Sequence, residues 1–504
     1  MNIVDSVLFQ SKCQPLALAL CIPGTKFNHV TYGQLARFIY NVGRNAQSCG
    51  LVRGNKVALF VRDPILHCVL ILGLTKLGIV TVSSREQNLP KELTVDAALA
   101  DSSYPVDGPH RVTVVDNTWL AGDGLPLEPS TYADDSADDP CRIILTSGST
   151  GFPKAVLRTH RNVSTRIHRL QTVYGSRFAD CSRIFMDVGL STGIGLTAFM
   201  YLLSRGGSLF LHGGKAIETF EALAAYRVQA MIASPQSLAK MAELFDQNPA
   251  LCPSLDVVVS TGSLLTKALS ERVRSRFGSN VISSYGSTEA CVAAAGPANV
   301  LAKVNGAVGY VTPGVTVEIV SESGERLPVG KEGHVRIRSD CVVDGYLGDP
   351  EATRLGFRDG CFYPGDIGVV TSSGMLIILG REQTLINLGG DKVHPERVES
   401  AITSFAGVRD AAAFDTLTLG GMHVLGSAVV WRGDANEQGL KDYLHQTLPP
   451  VFIPKFFLSV PEIPRTSNGK IDRVRLKETT VQSSREQQPE SKPAASKQVA
   501  PTVS

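Results

Sequence analysis

A run of hydroxyl and glycine residues, Leu145-Thr146-Ser147-Gly148-Ser149-Thr150-Gly151-Phe152-Pro153-Lys154, follows directly on the apolar stretch from Cys141 to Leu145. Glycines let the backbone turn tightly and bring N–H groups close to an anion, while hydroxyls and one lysine add donors and positive charge. That is the chemistry of a phosphate cradle. It is not the GxxxxGK[ST] loop, because Lys154 lies between Pro153 and Ala155 and the stretch Val156 to Arg158 reads as another strand, not as a helix whose N-terminus would face phosphate. A plain Ser/Gly hairpin has the same composition, so the loop takes its meaning from the rest of the chain. Further along stand Tyr285-Gly286-Ser287-Thr288-Glu289, Asp366 after Gly365, Arg381 after Gly380, and Lys470 in a Ser-Asn-Gly-Lys turn. Taken singly, these read equally as a surface carboxylate, a turn aspartate, a solvated cation and a turn lysine.

Residues so far apart need a scaffold to bring them together. Leu16 to Ile22 reads as a strand, and Thr31 reads as the cap of a helix with apolar positions at Leu35, Phe38, Ile39 and Val42. Val57 to Val61, a continuous apolar stretch, Ile65 to Leu77, an apolar helix, and Ile79 to Val82 then alternate as strand, helix and strand, which predicts an α/β fold with a sheet covered on both faces. Val315 to Val320, Gly333 to Arg338 and Gly368 to Thr371 predict a smaller β-rich subdomain. From Pro395 to about Leu476 a helix, two strands and a second helix suffice for a small α+β unit. The expected division is therefore a large body over 1–380, a mobile C-terminal domain over 381–476, and a disordered tail over 477–504, where apolar periodicity stops.

The phosphate loop, Ser260-Thr261-Gly262-Ser263, Tyr285 to Glu289, Gly365-Asp366, Gly380-Arg381 and Pro464-Arg465-Thr466-Ser467-Asn468-Gly469-Lys470-Ile471-Asp472 come in one order. In that order they resemble the adenylate-forming, or AMP-binding, superfamily of acyl-CoA synthetases, peptide-synthetase adenylation domains and firefly luciferases, whose loop reads TSG[ST]TGxPKG. Ala155 replaces the last glycine of that pattern. The resemblance implies activation of a carboxylic acid by ATP and Mg2+ as an acyl-adenylate, then transfer to the thiol of CoA or of a carrier protein's phosphopantetheine. It implies that Thr146, Ser147, Gly148, Ser149, Thr150, Gly151 and Lys154 cradle phosphate, with Gly262, Ser263, Gly286 and Ser287 nearby. It also implies that Tyr285 packs on adenine, Thr288 reaches the α-phosphate, Glu289 holds the metal, and Asp366 and Arg381 meet the ribose. Lys470 would stabilise the charge that builds as carboxylate attacks phosphorus. The hinge would be Gln383, and Gly390 would leave room for the pantetheine arm.

In the segment that closes the family's acyl pocket, Thr192 stands where related enzymes carry histidine or aspartate, which argues against an α-amino acid substrate. Ile282, Ser283 and Ser284, with Cys291 to Ala295, are small or apolar and suit an uncharged acyl or aryl tail. Asn387, His334 and Tyr363-Pro364 also depart from the family's pattern, which bears on substrate and thiol acceptor. With 49 basic and 47 acidic residues, the net charge of +2 provides no general field for nucleic acid or anionic membrane. The ten cysteines form no CxxC pair, and the apolar run Pro15 to Pro23 is shorter than the ~20 residues of a membrane span, so a cytoplasmic protein without an integral membrane segment is expected. Three functions are compatible: an acyl-CoA ligase, expected because no carrier domain follows the C-terminal unit; a stand-alone adenylation enzyme that loads a carrier protein; and a non-catalytic nucleotide-binding scaffold. Retention of Lys470, Glu289 and the loop hydroxyls weighs against the third.

Overall fold

Local chemistry fixes where the elements begin. Thr31 and Gln34 form a reciprocal capping box at the head of helix Tyr32–Ser48, and Leu35, Ile39 and Val42 are buried on its inner stripe. Asp63 accepts from the N–H groups of Ile65 and Leu66, and Pro64 opens helix Pro64–Lys76, which is buried almost all round. The computed structural model describes residues 2–84, 89–102, 112–127, 136–146, 153–278, 280–388, 391–417, 423–465, 471–473 and 475–476. Ser147 to Gly151, Gly390, Lys470 and the predicted tail lie outside the described residues.

The chain divides into two compact units, Met1–Leu385 and Ile386–Ser504. The first holds a six-stranded sheet, in the order Val112–Val114, Ala97–Ala100, Lys56–Phe60, Val80–Ser83, Pro140–Thr146, Lys154–Thr159. Its strands are parallel except the last two, which form an antiparallel hairpin around the predicted phosphate loop.

The larger sheet of this unit has 15 strands. Leu18–Cys21, Ser208–Phe210, Arg183–Met186, Ala230–Ala233, Val257–Thr261 and Asn280–Ser287 run parallel in that spatial order. Asn280–Ser287 then pairs antiparallel with Cys291–Pro297, and pairing stays antiparallel through Ala307–Val311, Met375–Arg381, Asp366–Val370 and Gly333–Ser339. The β-rich part read from sequence therefore extends the large sheet, over a cluster of its own that includes Ala293, Ile319, Val335, Phe362 and Leu376. The change from parallel to antiparallel falls at Asn280–Ser287, whose C-terminal end carries Tyr285 to Ser287. Ends of parallel strands at a break in topology are where α/β sheets hold ligands.

The second unit packs helices Pro395–Thr403 and Glu437–Thr447 with a three-stranded sheet, Val408–Leu417, His423–Trp431 and Phe456–Ser459. Val398, Ile402, Leu425, Val429, Leu440 and Leu444 form its core.

Candidate active site

The hairpin places Thr146 directly opposite Lys154, so the residues flanking the predicted phosphate loop sit at one point of the sheet. Thr146 Oγ1 donates to the Lys154 carbonyl at 3.5 Å. Lys154 Nζ lies 4.7 Å from the centre of the Tyr346 ring, a cation–π contact. The N–H of Leu347 donates to the Ala155 carbonyl at 2.8 Å, which ties the Tyr346 segment to the strand after the loop. Tyr346 in turn donates its hydroxyl to Glu289 Oε1 at 2.9 Å. Burial first, and the adjacent carboxylate second, push the Tyr346 phenol far above its ordinary range, so it remains a donor. A chain of contacts thus runs from Lys154 to the carboxylate of Glu289.

Glu289 is 7% exposed and sits in the turn between Asn280–Ser287 and Cys291–Pro297. The turn is tight: Cys291 adopts φ 67°, and Ser287 Oγ accepts from the N–H of Ala290 at 3.0 Å. A Cβ on Gly286 would stand 2.2 Å from the Cys291 carbonyl oxygen, so only glycine fits there. From behind the turn, Arg158 donates to the Thr288 carbonyl and Arg166 donates to the Glu289 carbonyl at 3.1 Å.

Elsewhere in the same sheet, Asp366 is 4% exposed and accepts from Tyr285 Oη at 2.5 Å and from Arg381 Nε at 2.9 Å. Asp366 and Arg381 are cross-strand partners, which fixes that ion pair by register. Burial and Asp366 hold the Tyr285 phenol well above its usual value. Gly262, at φ 98°, follows strand Val257–Thr261, whose Thr261 lies opposite Ser284.

Ile282 and Ser284 share one face of their strand by period-two alternation. Ile282 packs on the main core, while Ser284 Oγ meets Tyr174 Oη at 3.0 Å. Thr192 caps helix Gly193–Ser204: its Oγ1 donates to the Gly189 carbonyl at 2.7 Å and accepts from the Gly195 N–H at 3.1 Å. Its hydroxyl is committed to the helix start. A Cβ on Gly193 would come 3.2 Å from Thr288 Oγ1, so this start abuts the Thr288 side chain. Gln383 lies in the short turn Glu382–Thr384, at the end of the first unit.

The structure thus links Thr146 and Lys154 through Tyr346 to the turn that bears Thr288 and Glu289, and joins Tyr285, Asp366 and Arg381 by side-chain contacts within the large sheet. Sequence reading missed Tyr346, Arg158 and Arg166. An arginine directly after the apolar run Ala155 to Leu157, in the same strand, was the available signal for Arg158.

Family models match along most of the chain: the AMP-binding enzyme model over residues 10–347 and the AMP-binding enzyme C-terminal domain over 397–470. The chain belongs to the AMP-binding enzyme family. It is an AMP-forming enzyme of the acid–thiol ligase, acyl-CoA-synthetase-like kind. A long-chain-fatty-acid–CoA ligase of Mycobacterium tuberculosis is 26% identical over 474 residues, covering 89% of this chain and 93% of that protein. A D-alanine–D-alanyl carrier protein ligase of Bacillus licheniformis is 28% identical over 509 residues, covering 95% of this chain and 99% of that one. Among solved structures, ATP-bound MatB from Rhodopseudomonas palustris superposes with a TM-score of 0.81 at 23% identity, over 95% of this chain and 99% of that one. O-succinylbenzoate coenzyme A synthetase of Bacillus subtilis in complex with AMP gives 0.80 at 21% identity, over 94% and 98%, so the AMP-binding enzyme shares their fold. Among its described residues no helix is long and apolar enough to cross a membrane, and no group of three or more His, Cys, Asp or Glu gathers that could hold a metal ion.

Proposed function

We propose that this protein condenses a carboxylic acid with ATP to an acyl-adenylate and pyrophosphate, then transfers the acyl group to the thiol of CoA. The observation that carries this reading is the Lys154–Tyr346–Glu289 chain beside the Tyr285–Asp366–Arg381 cluster, at the end of the last parallel strand. One side offers cationic and hydroxyl groups for phosphates, the other an aromatic ring and an acceptor for a nucleoside. In this reading Thr146, Ser147, Gly148, Ser149, Thr150, Gly151 and Lys154 hold the β- and γ-phosphates, with Gly262, Ser263, Gly286 and Ser287 shaping the floor. Thr288 donates to the α-phosphate, Asp366 and Arg381 orient the ribose, and Lys470 stabilises the charge that builds as carboxylate attacks phosphorus.

Glu289 fits a magnesium ion brought by the nucleotide, because such an ion is gripped by one or two carboxylates plus phosphate oxygens and water. One of its oxygens is already oriented by Tyr346. The ion's contribution, when bound, is to offset phosphate charge; what the chain itself does is aim the carboxylate, exclude water and fix the nucleotide.

Ile282 and Ser284, on the strand face that meets Tyr174, with the start of helix Gly193–Ser204 near Thr192, favour an uncharged acyl or aryl tail. Gln383 serves as hinge, Gly390 clears the thiol arm, and the working division is a body over 1–380 and a lid over 381–476, in a cytoplasmic setting. A second reading, loading of a carrier protein, is favoured by the similarity to a carrier protein ligase and by Asn387 after the hinge. Pyrophosphate exchange screened over fatty, aromatic and amino acids tests the first half-reaction. Exchange dependent on a fatty or aromatic acid is expected, and exchange with none of them would overturn the proposal. AMP release with CoA against a carrier protein then separates the two acceptors.

A further inference from the structure

Arg158 and Arg166 are 1% and 3% exposed, and the partners that hold them are neutral oxygens. Asn162 Oδ1 joins the two, accepting from Arg158 at 2.6 Å and from Arg166 Nε at 3.0 Å. Beyond Asn162, Arg158 donates to the carbonyl of Thr288, and Arg166 to the carbonyls of Glu289 at 3.1 Å and Cys341 at 2.6 Å. Asn162 is itself held by the cap of helix His160–Val173, where Thr159 Oγ1 accepts from its N–H at 3.1 Å.

Charge buried against neutral acceptors is a poor way to gain stability, since apolar side chains of like volume serve as well or better. What the arrangement does achieve is geometric. Two successive carbonyls, those of Thr288 and Glu289, are each pinned by a charged donor from one side, which sets the peptide planes on which their side chains are mounted. From the other side Tyr346 meets the Glu289 carboxylate. The two guanidinium charges also stand behind the turn toward which phosphate charge would gather, as a fixed field that needs no reorganisation.

We propose that Arg158 and Arg166, joined through Asn162, are positioning residues: a clamp on the main chain that aims Thr288 at the nucleotide and Glu289 at its magnesium ion. This rests on the nucleotide and metal roles given above to those two side chains.

The test is calorimetric titration of the full-length protein with ATP in EDTA and with ATP plus magnesium chloride, for the wild type and for Arg158→Met, Arg166→Met, Arg166→Lys, Asn162→Ala and Asn162→Asp. In the wild type magnesium strengthens binding. In both methionine variants that enhancement falls by about tenfold, the effect of one charge-assisted hydrogen bond, while metal-free ATP affinity stays within about twofold. Asn162→Asp, which keeps the shared acceptor, stays near wild type, and Asn162→Ala falls between. If the methionine variants do not fold, Arg166→Lys and Asn162→Ala decide the matter, each with a partial loss confined to the magnesium-dependent part. Unchanged enhancement, or equal loss with and without magnesium, overturns the clamp alone. Absence of any magnesium effect in the wild type overturns the Glu289 assignment and the clamp with it.

Discussion

Two arginine clusters, one in each unit, are held in opposite ways. In the second unit Arg473 forks onto Glu399 at 2.6 and 3.2 Å and reaches the Ala413 carbonyl at 2.8 Å, while the Ala413 N–H donates to the same carboxylate at 2.8 Å. In the first unit Arg158 and Arg166 meet an amide oxygen and main-chain carbonyls instead. The first pattern closes on itself: Arg473 meets Glu399 and, at 3.5 Å, Glu396, and helix Pro395–Thr403 is fastened to strand Val408–Leu417. The second leaves positive charge uncancelled by its own partners and spends it on two carbonyls in the turn that bears Thr288 and Glu289. A buried ion pair fastens elements together, whereas buried cations on neutral oxygens fix a backbone and keep a field.

The comparison can be broken at either end. The largest expected effect is Glu399→Ala, which removes the forked partner of Arg473 and the acceptor of the Ala413 N–H, leaves Glu396 at 3.5 Å, and should destabilise the second unit by about 2–3 kcal/mol, read by denaturant unfolding. Loss of less than about 1 kcal/mol would mean that Arg473 finds another partner at little cost. Next comes Arg158→Met. Pyrophosphate exchange should drop by about a hundredfold, as expected when reacting groups are misplaced on the ångström scale, with little loss of melting temperature in the first unit. A large fall in melting temperature with exchange preserved would make Arg158 a fastening like Arg473.

The smallest effect concerns pH. Burial pushes the Glu399 carboxyl above its ordinary value, with Arg473 pulling the other way. The folded state therefore holds that proton more tightly than the unfolded chain, so stability of the second unit declines as pH rises from the usual glutamate value through the raised one. Glu399→Gln should flatten that slope in unfolding curves taken across that window. An unchanged slope would assign it to another group.

Much of the scaffold was legible because its signals are local. The Thr31 cap, Asp63-Pro64 and the apolar strand Lys56–Phe60 each carry their own instruction, and their observed bounds differ from the reading by a residue or two. Helix Val4–Cys13 went unread although Val4, Val7 and Leu8, all buried, stand at helical spacing. Most of the site's residue types were legible from order along the chain. Its supports were not: Arg158 in a strand looks like a solvent-facing position until the turn at Thr288, 130 residues away, is folded against it. Tyr346 sits in a run, Asp344-Gly345-Tyr346-Leu347-Gly348-Asp349, that reads as an ordinary loop, and only the fold carries its hydroxyl to Glu289. Burial of a polar side chain by a distant element leaves no periodic trace.

The central claim is that the first unit binds ATP for acid activation and that Lys470, from the second, serves only that half of the reaction. Measuring both half-reactions of Lys470→Ala tests it most directly. Acid-dependent pyrophosphate exchange should be abolished while thioester formation from supplied acyl-AMP is largely spared. Equal loss in both halves, or full exchange in the variant, would contradict it.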